Sequence, residues 1–195
     1  MADPERGERI LSVAGGLFLT RGVAGTTIRQ IAQAMNMSSG TIYYYYPSKE
    51  SIASAILHRF LDELAEAYAK LEATGSGLAP DLMIREIVRT SIEVASRHPH
   101  ATEIYGKEVT AQSSLPNYEL FLAKAAASQA QWRRVITAGV VAGVLRADVN
   151  AEHAREVMSH LTWMTVAWNR PRLVAEHREI ADQLASLLLD GFSVR

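Results

Sequence analysis

The sequence predicts an all-α protein of about nine helices, and three observations carry that reading. Apolar residues recur at helical spacing along most of the chain. Between those stretches stand short punctuating groups of glycine, proline, asparagine and serine. No run of alternating polarity is flanked by turn partners in the way a strand requires.

The first helix spans residues 4 to 21. Ile10, Val13, Ala14, Leu17 and Phe18 form one apolar face, Pro4 suits the first turn and Gly22 a C-terminal cap. The pair Gly15-Gly16 inside this helix costs stability, so close packing against another helix is expected there. Thr27 is a natural N-cap for a second helix, whose buried stripe is Ile28, Ile31, Ala32 and Met35. Asn36 stands where a left-handed residue ends that helix. Ser38 or Ser39 caps a third, very short helix reaching Tyr46. Pro47 stops it, and Ser48 caps the fourth.

The fourth helix runs from Lys49 to about Glu72, with Ile52, Ile56, Phe60, Leu64, Ala67 and Leu71 inward. ATGSGLAPD, residues 73–81, reads as a flexible link. A fifth helix is expected over residues 82–97, along Leu82, Ile84, Ile87, Val88, Ile92 and Ala95, ended by Pro99. A less regular segment through Tyr105 follows. Then come a long helix from about Asn117 to Val141, closed by Gly143, and two last helices over residues 151–169 and 175–192.

Composition bounds the function. A chain of 195 residues, 48% hydrophobic and 21% charged, has enough apolar material for a substantial core. The absence of cysteine excludes disulfides, thiolate metal sites and cysteine nucleophiles. The polar start MADPERGER is not a signal peptide, and no apolar run approaches the roughly 20 residues of a membrane helix. A cytoplasmic location is the expectation. Net charge is −1, yet between Thr20 and Lys49 the only ionised residues are Arg21, Arg29 and Lys49, all basic. His153 and His160 share a helical spacing without a third ligand, and no phosphate loop or nucleophile elbow is visible. Neither metal nor cofactor is expected.

The stretch TTIRQIAQAMNMSSGTIYYYYPSKE, ending at Glu50, combines two short helices, a tight connection and a tyrosine run. A helix-turn-helix has this arrangement. Taken alone, a tyrosine run is more often a packing cluster and a serine before a helix more often only a cap. With the preceding FLTRG and the following SI, the stretch closely resembles the DNA-binding domain of the TetR family of bacterial regulators over about residues 8 to 56. Gly22, Thr27, Ile31, Ala32, Gly40, Tyr43, Pro47 and Lys49 carry the match. Tyr45 departs from the histidine of many members, and Tyr46 from the phenylalanine of most.

Physical roles follow. Thr27, at a helix N-terminus, can meet a phosphate. Arg29 points away from the buried stripe, toward a base edge or phosphate. Ser38, Ser39, Gly40 and Thr41 are small enough for close approach in the major groove. Ile42 and Tyr46 share the core face, leaving Tyr43, Tyr44 and Tyr45 with hydroxyls for the backbone and Lys49 with a point charge.

The chain divides on this reading into a DNA-binding domain, residues 1–50, and a helical effector-binding and dimerisation domain, residues 51–195. VMSHLTWMTVAW, residues 157–168, is apolar nearly all round and must be covered on more than one side. Ile180, Leu184, Leu187, Leu188 and Gly191 are expected to expose a second stripe on the last helix. A two-fold, four-helix interface with an identical copy would involve Val157, Leu161, Met164, Leu184, Leu187, Leu188 and Gly191.

The resemblance also implies an effector pocket, for which Tyr105, Trp132, Trp163 and Trp168 are the candidate aromatics. LTWMTVAWNRP is similar to the corresponding stretch in actinobacterial repressors of steroid and lipid breakdown, whose effectors are acyl-CoA thioesters. A CoA group needs cations, and the penultimate helix region offers Arg155 and Arg170. An apolar or amphipathic small molecule is therefore the expected effector, with acyl-CoA as one option. The expected function is a homodimeric, ligand-responsive repressor of a palindromic operator. The rivals are a constitutive DNA-binding factor and a carrier or enzyme on the same fold.

Overall fold

A computed structural model describes residues 3–107 and 115–192, excluding the side chains at 103, 105–107, 170 and 192. Among these residues there are nine helices and no strand. They are α1 (Pro4–Arg21), α2 (Ile28–Ala34), α3 (Ser39–Tyr45), α4 (Lys49–Thr74), α5 (Pro80–Arg97), α6 (Pro99–Lys107), α7 (Tyr118–Val141), α8 (Ala151–Trp168) and α9 (Arg170–Phe192).

Several ends fall where local chemistry puts them. Asp3 caps α1, accepting from the Glu5 N–H, and Gly22 closes it at φ 71°. The Asn150 side chain accepts from the backbones of Glu152 and His153 at the start of α8. Gly143 follows α7 at φ 70°, in the left-handed region that glycine enters without steric cost.

Three boundaries differ from the sequence expectation, each through proline. The segment after His98 is a helix, with Pro99 opening α6 rather than merely ending α5. α5 begins at Pro80, inside the expected link, and α9 begins at Arg170, with Pro171 in its first turn. In each case proline occupies the first turn, where its missing N–H has no intrahelical partner to lose. Only Asn169 separates α8 from α9.

The chain forms two compact units, residues 1–60 with 99–122, and residues 61–98 with 123–195. In the first, α1 packs on α2 and α6, and α2 on α3. Ile10, Ala14, Phe18, Ile31, Ile42, Ile52 and Leu57 form its core, all 0–1% exposed. Val13 and Leu17, expected on the same inner face, are half-buried. Of the two glycines in α1, Gly15 meets the expectation of close packing. A Cβ there would lie 2.7 Å from the His100 ring of α6, while one on Gly16 would meet nothing within 4 Å. The Ser54 hydroxyl of α4 donates to the Pro116 carbonyl across 2.7 Å.

In the second unit α5 lies along α9, and α8 packs on both. Ile84, Ile87, Val88 and Ile92 of α5 are fully buried, whereas Leu82 is exposed because it precedes the inward stripe. A directional hydrogen-bond chain crosses the core. Trp132 Nε1–H donates to the Tyr68 hydroxyl (3.0 Å), Tyr68 pairs with Ser91 (2.7 Å), and Ser91 donates to the Ile87 carbonyl (2.6 Å). Such a chain satisfies every buried polar atom it contains, which is the condition for polar groups in a core. Burial pushes the Tyr68 hydroxyl pKa above its ordinary value, against hydrogen bonds from Ser91, Trp132 and Ser128.

Candidate nucleic-acid interface

The helix-turn-helix is built from local capping. Thr27 Oγ1 accepts from the Gln30 N–H at 3.3 Å, while Gln30 Oε1 accepts the Thr27 N–H at 2.9 Å and the Thr27 hydroxyl at 3.1 Å. This reciprocal box, spelled T-x-x-Q, fixes where α2 starts. Gln30 was not singled out from the sequence, though the spacing to Thr27 was there to read. Ile28, Ile31, Ala32 and Met35 turn inward as expected, each below 9% exposed. Asn36 takes φ 53°, and the Met37 N–H reaches back to the Ala32 carbonyl at 2.9 Å, so the chain leaves α2 in a tight turn.

Ser38, rather than Ser39, caps α3. Its Oγ accepts from the Thr41 N–H at 3.1 Å and pairs with Thr41 Oγ1 at 2.9 Å. Ile42 is α3's anchor at 0% exposed. Opposite it, Tyr43 and Tyr44 are 54% and 66% exposed, and Gly40 is exposed beside them. A Cβ on Gly40 would touch only Ser38 Oγ, at an ordinary 3.7 Å, so the chain's own packing does not demand glycine there.

Tyr45 is half-buried; its hydroxyl accepts the Asp3 N–H at 3.2 Å and its ring meets Tyr44 edge-on at 5.3 Å. Tyr46 is half-buried also, its pKa raised by burial despite the lowering influence of Arg59. Arg59 forms a two-pronged ion pair with Glu8, tying α4 to α1. Ser48 and Ser51 exchange backbone-to-hydroxyl bonds at 3.1 Å where α4 opens. Lys49 Nζ donates to the Ala24 carbonyl at 2.9 Å, which holds the ammonium beside the loop before α2, and Arg29 is exposed on α2. Thr27, Arg29, Ser38, Gly40, Thr41, Tyr43, Tyr44 and Lys49 are thus gathered on α2, α3 and their flanks.

The aromatics singled out for an effector do not share one environment. Trp132 is buried and hydrogen-bonded to Tyr68, Trp163 is half-buried, and Tyr105 lies outside the described side chains. Trp168 is 68% exposed, which corrects its assignment to an enclosed chamber: it ends α8 on the outer face. Arg155 is buried and bonded to Glu152, Glu156 and Gln129, so its guanidinium is not free for a phosphate. Glu152 bonds both Arg133 and Arg155, and they hold its carboxyl pKa down at about 2. A charged cavity of about 290 Å³ opens between α5 and α9, lined by Glu86, Arg89, Glu93, His177, Arg178 and Asp182. Trp132, Trp163 and Trp168 are not among its described lining residues.

The expected second stripe of α9 also needs correction. Ile180, Leu184 and Leu188 are 4–8% exposed and belong to the chain's own core, because α9 uses that face against α5 and α8. What stays outside is Leu187 (73%), Val174 (70%) and Gly191 on α9, with Val157, Met164 and Trp168 on α8. Leu161 is half-buried between the last three. Residues 157, 161, 164 and 168 recur at helical spacing, so they form one continuous outer stripe.

Residues 10–56 match the family model described as bacterial regulatory proteins, tetR family, and residues 78–192 match the tetracyclin repressor-like C-terminal domain. The chain is 32% identical over 188 residues to the HTH-type transcriptional repressor KstR2 of Rhodococcus jostii, covering 96% of this chain and 91% of that one. It is 27% identical over 189 residues to KstR2 of Mycolicibacterium smegmatis, covering 96% and 91%. The solved ketosteroid transcriptional regulator KstR2 of Mycobacterium tuberculosis superposes with a TM-score of 0.88 at 25% identity, covering 97% of this chain and 96% of that one. The capped helix pair, its exposed polar and aromatic face and the helical C-terminal part have the same explanation: the chain belongs to the TetR family of bacterial transcriptional regulators.

Proposed function

We propose that this protein is a homodimeric, ligand-responsive transcriptional repressor, with residues 1–50 binding a palindromic operator and residues 51–195 binding effector and partner subunit. The observation that carries the reading is the outer face of α3. It buries only Ile42 and turns Gly40, Tyr43 and Tyr44 to solvent. Two copies of α3 must enter successive major grooves about 34–36 Å apart, so the operator's symmetry mirrors that of the protein. The outer stripe of Val157, Leu161, Met164 and Trp168, with Leu187 and Gly191, supports the same two-fold pairing.

The effector on this reading is an apolar or amphipathic catabolite. The relatives' names, a ketosteroid regulator among them, favour a steroid or lipid breakdown product, including its acyl-CoA thioester. With Arg155 engaged by Glu152 and Gln129, the apolar part of such a molecule supplies most of the binding. To act as a switch it must prefer the DNA-free conformer, with a coupling of about 1–3 kcal/mol, or 5–150-fold in operator affinity. This makes the chain a regulator rather than an enzyme.

The experiment is selection of duplexes from a randomised pool by the full chain, followed by mobility-shift titration of the winners with steroid-derived carboxylic acids and their CoA thioesters. Enrichment of a palindrome, released by one ligand class, supports the reading. Binding without sequence preference over competitor DNA contradicts it.

A further inference from the structure

We propose that α3 reads thymine methyl groups, so that the core of each operator half-site is specified chiefly by apolar contact rather than by paired hydrogen bonds. This rests on the proposed function, in which α3 enters the major groove. From Ser38 to Tyr46 the chain has no Arg, Lys, Asn, Gln, Asp or Glu. Those are the side chains that discriminate guanine, adenine and cytosine by two-pronged or directional hydrogen bonding in the groove. Hydroxyls donate and accept alike, so Ser39, Tyr43 and Tyr44 can bond a base edge without choosing among bases. The base-discriminating feature left to such a surface is the thymine C5 methyl, which accepts apolar contact from a threonine methyl or an aromatic ring.

The geometry sharpens this onto Thr41. Its hydroxyl is engaged by Ser38 Oγ at 2.9 Å, and Ser38 Oγ is itself occupied by the Thr41 N–H. With its oxygen paired to the capping serine and, like any hydroxyl, unable to choose among bases, the side chain has its methyl to offer as the discriminating group. Beside it, the exposed rings of Tyr43 and Tyr44 add apolar area, and the bare backbone at Gly40 permits close approach. Gln30, the one amide in the first turn of α2, is held by Thr27. Arg29 remains as the exposed guanidinium of α2, suited to a guanine or phosphate outside the thymine-reading core.

The test uses the full chain and two randomised duplex pools, one carrying thymine and one with uracil in its place, which removes only the methyl. The thymine pool should enrich a palindrome with thymine at fixed positions in each half-site. Remaking that site with uracil at those positions should weaken binding about fourfold per methyl, the effect of about one buried methylene-sized group. Thr41→Ser keeps the hydroxyl that pairs with Ser38 and loses the methyl; Thr41→Val does the reverse. Thr41→Ser should bind the thymine site as weakly as the wild type binds the uracil site at the contacted position, and lose nothing further there on uracil. Thr41→Val should keep the discrimination. Enrichment of a palindrome bound equally well with uracil overturns this inference and leaves the repressor reading intact. Absence of any enrichment from the thymine pool overturns both.

Discussion

The backbone of Gly15 in α1 lies against the ring of His100 in α6, so closely that a Cβ on Gly15 would stand 2.7 Å from it. One residue along, Gly16 has open space. The adjacent glycines therefore have opposite consequences. Gly15→Ala should destabilise by about 1–3 kcal/mol, because the ring has to shift to admit the methyl. Gly16→Ala should stabilise by about 0.5–1 kcal/mol through helix propensity alone. Denaturant midpoints of the two variants, measured side by side, check this; shifts of the same sign would show that α6 does not seat on α1 as described.

The buried chain Trp132–Tyr68–Ser91 predicts both a mutational and an alkaline sensitivity. Tyr68→Phe leaves the Trp132 N–H without an acceptor and should cost about 1–3 kcal/mol. Burial raises the Tyr68 pKa in the folded state above the ordinary 10.0. Below that value both states hold the proton and the contribution is fully present. As pH rises past about 10, the unfolded chain ionises first and stability falls. Tyr68→Phe should therefore lose less stability than wild type between neutral pH and strongly alkaline conditions, as read from thermal midpoints. A parallel decline in both would refute the assignment.

Much of the fold was legible because the chain announces its helix ends by residue type. Thr27, Asn36, Ser38 and Gly22 each do what their side chain or missing side chain allows. The failures share a cause. Pro99 reads as the end of α5, Pro80 stands inside the expected link and Pro171 between the two last expected helices, yet a proline in a helix's first turn and one beyond its end look identical in sequence. The faces of α9 were assigned incorrectly for a related reason. Leu184, Leu187 and Leu188 are equally apolar, and only the packing of α9 on α5 and α8 decides that Leu187 stays outside. Trp168, a candidate for the effector pocket that the resemblance implies, closes α8 at its last turn, where it is 68% exposed. In the helix-turn-helix, spacing offers Lys49 and Tyr45 as candidates for DNA contact, but it does not show their bonds to Ala24 and Asp3, which join residues 25 and 42 positions apart.

The outer stripe predicts a mutational route to the monomer. Leu187→Asp replaces a side chain that is 73% exposed and so should leave the subunit folded. In a two-fold interface the change occurs twice, costing about 3 kcal/mol or more in dimer stability, over a hundredfold in dissociation constant. On the proposed pairing, sedimentation velocity across concentration should show wild type as a dimer and the variant as a monomer, with operator affinity lost in parallel. Leu188→Asp, which charges a 4% exposed core position, should instead unfold the chain.

Gly40 separates folding from DNA binding. Its replacement by alanine meets only Ser38 Oγ at 3.7 Å and should be neutral or mildly stabilising by about 0.5–1 kcal/mol. If α3 approaches the groove closely, the same methyl should weaken operator binding about tenfold or more, the effect of roughly 1.4 kcal/mol of steric conflict. Thermal stability and binding isotherms on one preparation read both effects; unchanged affinity would mean that α3 keeps its distance from the bases.

The central claim, that two copies of α3 are held at a fixed spacing to read a symmetric site, is tested most directly by fluorescence anisotropy on a selected palindrome and on the same palindrome with about 5 bp, half a helical turn, inserted at its centre. The insertion leaves every base and phosphate of each half-site present but turns one half-site to the opposite face of the duplex. The account predicts that affinity falls to that of a single half-site and that the Leu187→Asp monomer does not distinguish the two duplexes. Equal affinity of the wild-type protein for both duplexes would contradict it.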